Sequence, residues 1–219
     1  MKKAFACLAL LTIFLIACAP QQKEAPPTIS KTEIKTESQE PQTTTQQKQE
    51  IAQEVKDLLE KHKTRVQSIS YKYRGPETGN NFYVFYVKGS KIRYNPYLEI
   101  KTLDSPDSYD AIFIDKTAKT AASYCIAAHC LYKGKKQDLI YDDAYIATIT
   151  DLVSGLAQAN KVGEEVIDDR NTWKIETNKG TLWVDTFYGV PLKVESGGKT
   201  YKFEQVSVNS VQDSDVVAS

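Results

Sequence analysis

The 219-residue sequence has little of what most catalytic or metal sites are built from: two His, four Cys and one Met. With only His62 and His129, a histidine-built metal centre is not expected. No metal and no other cofactor are expected. Charge of one sign is lacking too. The 28 Lys and Arg balance 28 Asp and Glu, so no basic surplus exists to displace counterions, and nucleic acid is excluded as a bulk electrostatic partner. Aromatics are absent between residues 15 and 70, and no Gly, Tyr or Trp precedes residue 71. Four of the eight prolines (Pro20, Pro26, Pro27 and Pro41) fall within residues 20–41. Core-forming residues are therefore confined to the later part of the chain.

What is present at the start reads as an address. Lys2 and Lys3 precede an uncharged, mostly apolar run over residues 4–17. That run is too short for a comfortable bilayer span and fits the core of a signal peptide. It ends in Leu15-Ile16-Ala17-Cys18, which resembles the lipobox of prokaryotic lipoproteins. The resemblance implies cleavage after residue 17 and lipidation of Cys18, whose thiol accepts the diacylglyceryl group. The alternatives are an ordinary secretory peptide cut near Ala19 or a retained short anchor. Each buried methylene contributes about 0.8 kcal/mol, so two or more chains hold firmly. Loss of residues 1–17 removes Lys2 and Lys3 and no acid, leaving 26 basic against 28 acidic groups. The lipid rather than general charge then attaches the protein to the extracytoplasmic face of a membrane, periplasmic or at the cell surface.

Residues 18–50 follow as a Gln-, Thr-, Glu-, Lys- and Pro-rich stretch with only Ile29 and Ile34 as larger apolar side chains. Such a segment cannot bury enough apolar surface to offset its ordering entropy and is expected to be a disordered tether. Its alternative is a polar recognition segment.

Residues 51–219 are expected to form the folded head. Ile51, Val55, Leu58, Leu59, His62 and Val66 recur at helical spacing, with His62 at the core edge. The period then becomes two: Ile69, Tyr71 and Tyr73 alternate with polar residues. Further strands are expected over residues 82–87, around Ile92 and Tyr94, over 97–103, 109–115 and 120–125, joined by turns too short for parallel crossovers. A second helix is expected over residues 143–159, on a stripe of Tyr145, Ile146, Ile149, Leu152, Val153 and Leu156. Strands resume over 161–167, 172–177, 181–185, 192–196 and 201–208. Beyond Phe203 the apolar parity slips to Val206 and Val208, predicting a bulge near Gln205. The fold class is α+β: a strongly curved antiparallel sheet of about ten strands, a half-barrel, covered by two or more helices.

Chemistry-bearing patterns are few. Cys125 and Cys130 remain once Cys18 is lipidated, and outside the cytoplasm they read as a disulfide. The alternatives are a redox pair or a metal site that includes His129. Ser154 and Ser196 lack a nucleophile elbow. The acidic pairs Asp142-Asp143, Asp168-Asp169 and Asp213-x-Asp215 read as turns or caps more simply than as carboxylate dyads. No catalytic residue and no enzyme activity are expected.

Gly163-Glu164-Glu165-Val166-Ile167-Asp168-Asp169-Arg170, then Thr172-Trp173-Lys174-Ile175, resemble a strand pair of the LolA/LolB-like lipoprotein-carrier superfamily. Trp183-Val184-Asp185 through Gly189-Val190-Pro191-Leu192-Lys193 is similar to that family's strand–turn–strand motif, and Tyr201-Lys202-Phe203 to its last strand. The resemblance implies a hydrophobic cavity between half-barrel and helices that binds a lipid, a lipoprotein acyl chain or another apolar ligand. Ile69, Tyr71, Tyr73, Tyr94, Trp173, Ile175, Leu192, Val194, Tyr201 and Phe203, on the apolar parity, are the candidate lining. The alternative is an envelope sensor or interaction lipoprotein that binds a protein partner, with its interior only a core.

Overall fold

The computed structural model describes residues 51–96 and 107–218. Cys18, the expected signal peptide and tether, and the strand expected over 97–103 lie outside the described residues. The described residues form one compact unit, which holds every described core residue.

Helix α1 (Gln53–Arg65) buries Val55, Leu58 and Leu59, three positions on one face, and carries His62, Lys63 and Arg65 in its last turn, where cations complement the helix dipole. It ends at Val66, whose N–H still reaches the His62 carbonyl while its backbone turns extended. The expected first helix is thus present, and His62 is half-buried at its edge.

Eleven strands follow: β1 (Ser68–Arg74), β2 (Tyr83–Lys88), β3 (Lys91–Pro96), β4 (Ala111–Asp115), β5 (Thr120–Tyr124), β6 (Lys136–Leu139), β7 (Ala159–Ile167), β8 (Arg170–Thr177), β9 (Gly180–Asp185), β10 (Pro191–Ser196) and β11 (Lys199–Val208). They form one antiparallel sheet in the order β6-β5-β4-β3-β2-β1-β11-β10-β9-β8-β7, open at β6 and β7. Two meanders, β1–β6 and β7–β11, are therefore sewn together by the β1–β11 pair alone. Short helices α2 (Tyr141–Ala144) and α3 (Asp213–Val216) and a 3-10 turn at Pro76–Thr78 complete the described elements. Among the described residues no helix is long and apolar enough to cross a membrane.

The expected bulge is present. Between Ser70 and Lys72 on β1, β11 advances from Ser207 to Glu204, one residue more than its partner, and Gln205 sits at φ +52°. This resets the parity so that both Phe203 and Val206 reach the core.

One expectation is corrected. The segment over residues 143–159 is not a helix: helical structure ends at Ala144, and irregular turns run on to β7. The Asp151 carboxylate captures the Thr148 N–H at 2.8 Å and its hydroxyl at 2.5 Å, and the Tyr145 hydroxyl at 2.6 Å. These local bonds compete with the helical ladder, and the β-branched run Ile146-Ala147-Thr148-Ile149-Thr150 gives helix little intrinsic support. The strand count also rises, because Lys136–Leu139 pairs as β6 despite its polar sequence.

Candidate functional site

Only one face of the sheet carries the core, and its two halves are chemically different. On β1–β3 that inner face is aromatic. Tyr71 stacks on Phe85 with centroids 5.2 Å apart, Phe85 stacks on Tyr94 at 5.0 Å, and Phe203 meets the Tyr71 edge at 5.4 Å. On β8–β10 it is mainly aliphatic: Ile175, Leu182, Val184, Leu192 and Val194, all buried.

Each buried tyrosine hydroxyl has a partner. Tyr71 accepts the Ile149 N–H at 3.2 Å, Tyr94 donates to the Ala144 carbonyl at 2.9 Å, and Tyr73 donates to Glu77 at 2.7 Å. Burial pushes all three phenols well above their ordinary range, so they stay protonated and neutral. The irregular segment after α2 is thereby fastened to the aromatic half. Its far end is held by Asp151, which Lys116 meets at 2.6 Å. Burial raises the Asp151 pKa, but hydrogen bonds from Lys116, Thr148 and Tyr145 outweigh it and leave the carboxyl below its ordinary value. Helix α1 is tied to the other meander instead. Lys61 and Arg65 donate to the Thr186 and Phe187 carbonyls at 2.8 and 2.7 Å. Gly189 lies beneath it, where a Cβ would stand 2.3 Å from the Leu58 carbonyl oxygen.

All ten expected lining residues belong to one hydrophobic cluster. Eight are buried, and Trp173 and Tyr201 are partly buried against it. The rings of Tyr71, Phe85, Tyr94 and Phe203 occupy the centre of the inner face. A pocket of about 430 Å³ opens beside them, between β3, β4, β6 and α2. Tyr94 and Ile112 form part of its wall, with Tyr109, Leu139, Ile140 and Ala144, and Asp138 and Asp143 stand at it as well. Tyr94 is the expected lining residue that borders this pocket, while Ile69 borders a more polar one of about 300 Å³ beside His62, Lys116 and Asp151.

Sequence reasoning missed most of this wall. Ile112 shares the parity of Ile114 and was within reach, but Leu139 and Ile140 belong to a stretch with no strand signature. Near Ile112 the register places Ser123, whose fully buried hydroxyl has no hydrogen-bond partner among the described residues. The expected disulfide is present, joining Cys125 and Cys130 with Cα atoms 5.8 Å apart. Asp110 stands near both sulfurs, but its carboxylate accepts the Ile126 and Ala127 N–H groups at 2.7 and 2.8 Å, bracing the loop.

No family model and no curated protein matches the sequence. Solved structures similar to the chain include MucB in the Pseudomonas aeruginosa MucA/MucB complex, at 12% identity over 77% of this chain and 62% of that one, with a TM-score of 0.42. The chain thus spans less than two thirds of the MucB chain. Lipoprotein LppX of Mycobacterium tuberculosis is 12% identical over 73% of this chain and 95% of that one, with a TM-score of 0.43. LprF of Mycobacterium bovis is 11% identical over 74% of this chain and 97% of that one, also at 0.43. At these identities and scores the likeness does not extend to ligand or partner.

Proposed function

We propose that the sheet is a half-barrel that binds an acyl chain or similar apolar ligand without chemistry, in a protein held to the envelope by lipid on Cys18. The observation that carries this reading is the 430 Å³ pocket beside Tyr94 and Ile112, continuous with the aromatic inner face. Its size falls in the range of small-molecule sites, and Ile112, Leu139, Ile140 and Ala144 offer an apolar stretch of wall to a chain, beside the carboxylates of Asp138 and Asp143. The Ser123 hydroxyl, without a hydrogen-bond partner among the described residues, offers a polar group near the site. Native mass spectrometry of residues 46–219, purified without detergent, tests the reading. A co-purifying lipid mass, displaced by added fatty acid, is the expected result. An apo mass that takes up no fatty acid contradicts it.

A second reading, an interaction lipoprotein whose interior is only a core, is favoured by the stacked rings that fill the centre of the inner face. The same apo mass is the outcome it predicts.

A further inference from the structure

Seven large hydrophobic side chains are exposed among the described residues, and three of them, Leu131, Tyr132 and Ile140, fall within residues 131–140. Exposed apolar residues scattered singly need no explanation, but the adjacent Leu131 and Tyr132 on one loop do; Ile140 stands at the other end of β6. Leu131 and Tyr132 form the outer part of the β5–β6 connection and are 70% and 45% exposed. This connection is not free to fold its apolar tip inward. The Cys125–Cys130 disulfide closes its base, Asp110 accepts two of its backbone N–H groups, and the Gly134 N–H returns to the Cys125 carbonyl at 2.9 Å. The tip is presented to solvent by construction.

Its charge is also distinctive. From Lys116 to Gln137 the sequence carries five lysines and no acid, although the chain as a whole is neutral. Three of the five, Lys133, Lys135 and Lys136, are exposed beside the apolar tip. Lys135 and Lys136 reach Asp107 and Asp138 only at surface positions, 3.9 and 2.5 Å away, where such pairs exchange readily for other anions. An apolar and aromatic tip ringed by flexible lysines matches the boundary between acyl chains and headgroups, where leucine and tyrosine bury and ammonium groups stay wet. The same ten residues reach the pocket, because Leu139 and Ile140 border it.

We propose that the disulfide-braced β5–β6 connection docks on an anionic bilayer surface, with Leu131 and Tyr132 entering the interface and Lys133, Lys135 and Lys136 meeting acidic headgroups. Docking there turns the pocket mouth toward the lipid, so an apolar ligand passes between bilayer and protein with little exposure to water. This last consequence rests on the pocket reading above; the docking itself does not.

The test is co-sedimentation of residues 46–219 with vesicles of phosphatidylglycerol and phosphatidylcholine, against vesicles of phosphatidylcholine alone. Binding is expected to the anionic vesicles and to weaken in salt. It should fall about tenfold in Leu131→Ser/Tyr132→Ser and in Lys133→Gln/Lys135→Gln. Both variants change exposed side chains, and unaltered circular dichroism confirms that they fold. In Tyr132→Trp, the emission should shift to the blue when anionic vesicles are added. Equal binding to neutral vesicles, no binding at all, or variants that bind like the parent would overturn the proposal. Uptake of fatty acid in solution should be the same in the Leu131→Ser/Tyr132→Ser variant and the parent. Failure of the parent to bind vesicles therefore counts against the docking surface, and failure of the parent to take up fatty acid counts against the pocket.

Discussion

The two meanders solve the same problem, covering an apolar sheet face, in different ways. In β7–β11 the inner face is mainly aliphatic, and the loop between β9 and β10 is clamped to α1 by Lys61, Arg65 and the close approach at Gly189. The outer face of this half is also sealed. Trp183 is buried there between the ammonium groups of Lys193 and Lys174, 4.0 and 5.2 Å from its ring, and donates to Glu165 at 2.6 Å. In the first meander the inner face is aromatic on β1–β3 and aliphatic beyond, at Ile112, Ile114 and Leu139, and the cover is irregular chain held by tyrosine hydroxyls and Asp151. Aliphatic packing is non-directional and fills space. Tyrosines pack and also offer a directed bond, so they hold backbone that has no secondary structure to satisfy it. Loops, the disulfide and the larger of the two inner-face pockets all fall in the half with the irregular cover. The first meander carries the candidate site, and the second is scaffold.

The largest expected effect breaks the junction between the halves. Phe203, on β11, packs against Tyr71 and Tyr73 of the other meander. Phe203→Ala should cost about 3–5 kcal/mol in chemical denaturation, since it leaves a cavity where only one strand pair joins the meanders. Gly189→Ala should come next and act on the scaffold half alone. It combines a left-handed φ of +71° with a backbone clash, and α1 should lose protection in hydrogen exchange before the first meander does.

Asp151→Asn should loosen the cover of the first meander by about 2 kcal/mol, because four hydrogen bonds to a partly buried charge weaken together. The same contact gives a pH dependence. The folded carboxyl titrates below its ordinary value of 3.8, so its contribution is complete above that value and is lost as pH falls through the lowered one. Hydrogen exchange over residues 145–154 should therefore quicken at acid pH in the parent, and Asp151→Asn should be already loosened and flat.

The smallest effect has the opposite sign. Ser123→Ala removes a buried hydroxyl that has no partner among the described residues, so the ligand-free protein should melt at the same temperature or slightly higher. A clear destabilisation would show that the hydroxyl is satisfied.

Much of the scaffold half was legible in the sequence because its strands alternate cleanly and its turns carry Gly or Asn: Asn178-Lys179-Gly180, Gly189-Val190-Pro191 and Gly197-Gly198 all fall at strand ends. The bulge at Gln205 was legible for the same reason, as a break in an otherwise regular parity. The candidate site was not. Residues 143–159 carry a helical stripe of apolar side chains, yet they cover the core as turns, because Thr148 and Asp151 bond locally and Tyr71 and Tyr94 take up backbone groups from across the fold. Periodicity registers which residues face inward and is blind to such long-range donors. Strand β6 has only Leu139 as an apolar residue and owes its place to pairing with β5.

The central claim is that the first meander holds an acyl-binding pocket, and a fluorescent fatty-acid titration of residues 46–219 tests it most directly. Leu139→Trp places an indole in the pocket from a partly exposed edge-strand position, away from the packed rings. Saturable binding to the parent and about a tenfold loss in Leu139→Trp, with an unchanged melting temperature, is the predicted result. No saturable binding, or equal affinity in parent and variant, would contradict it.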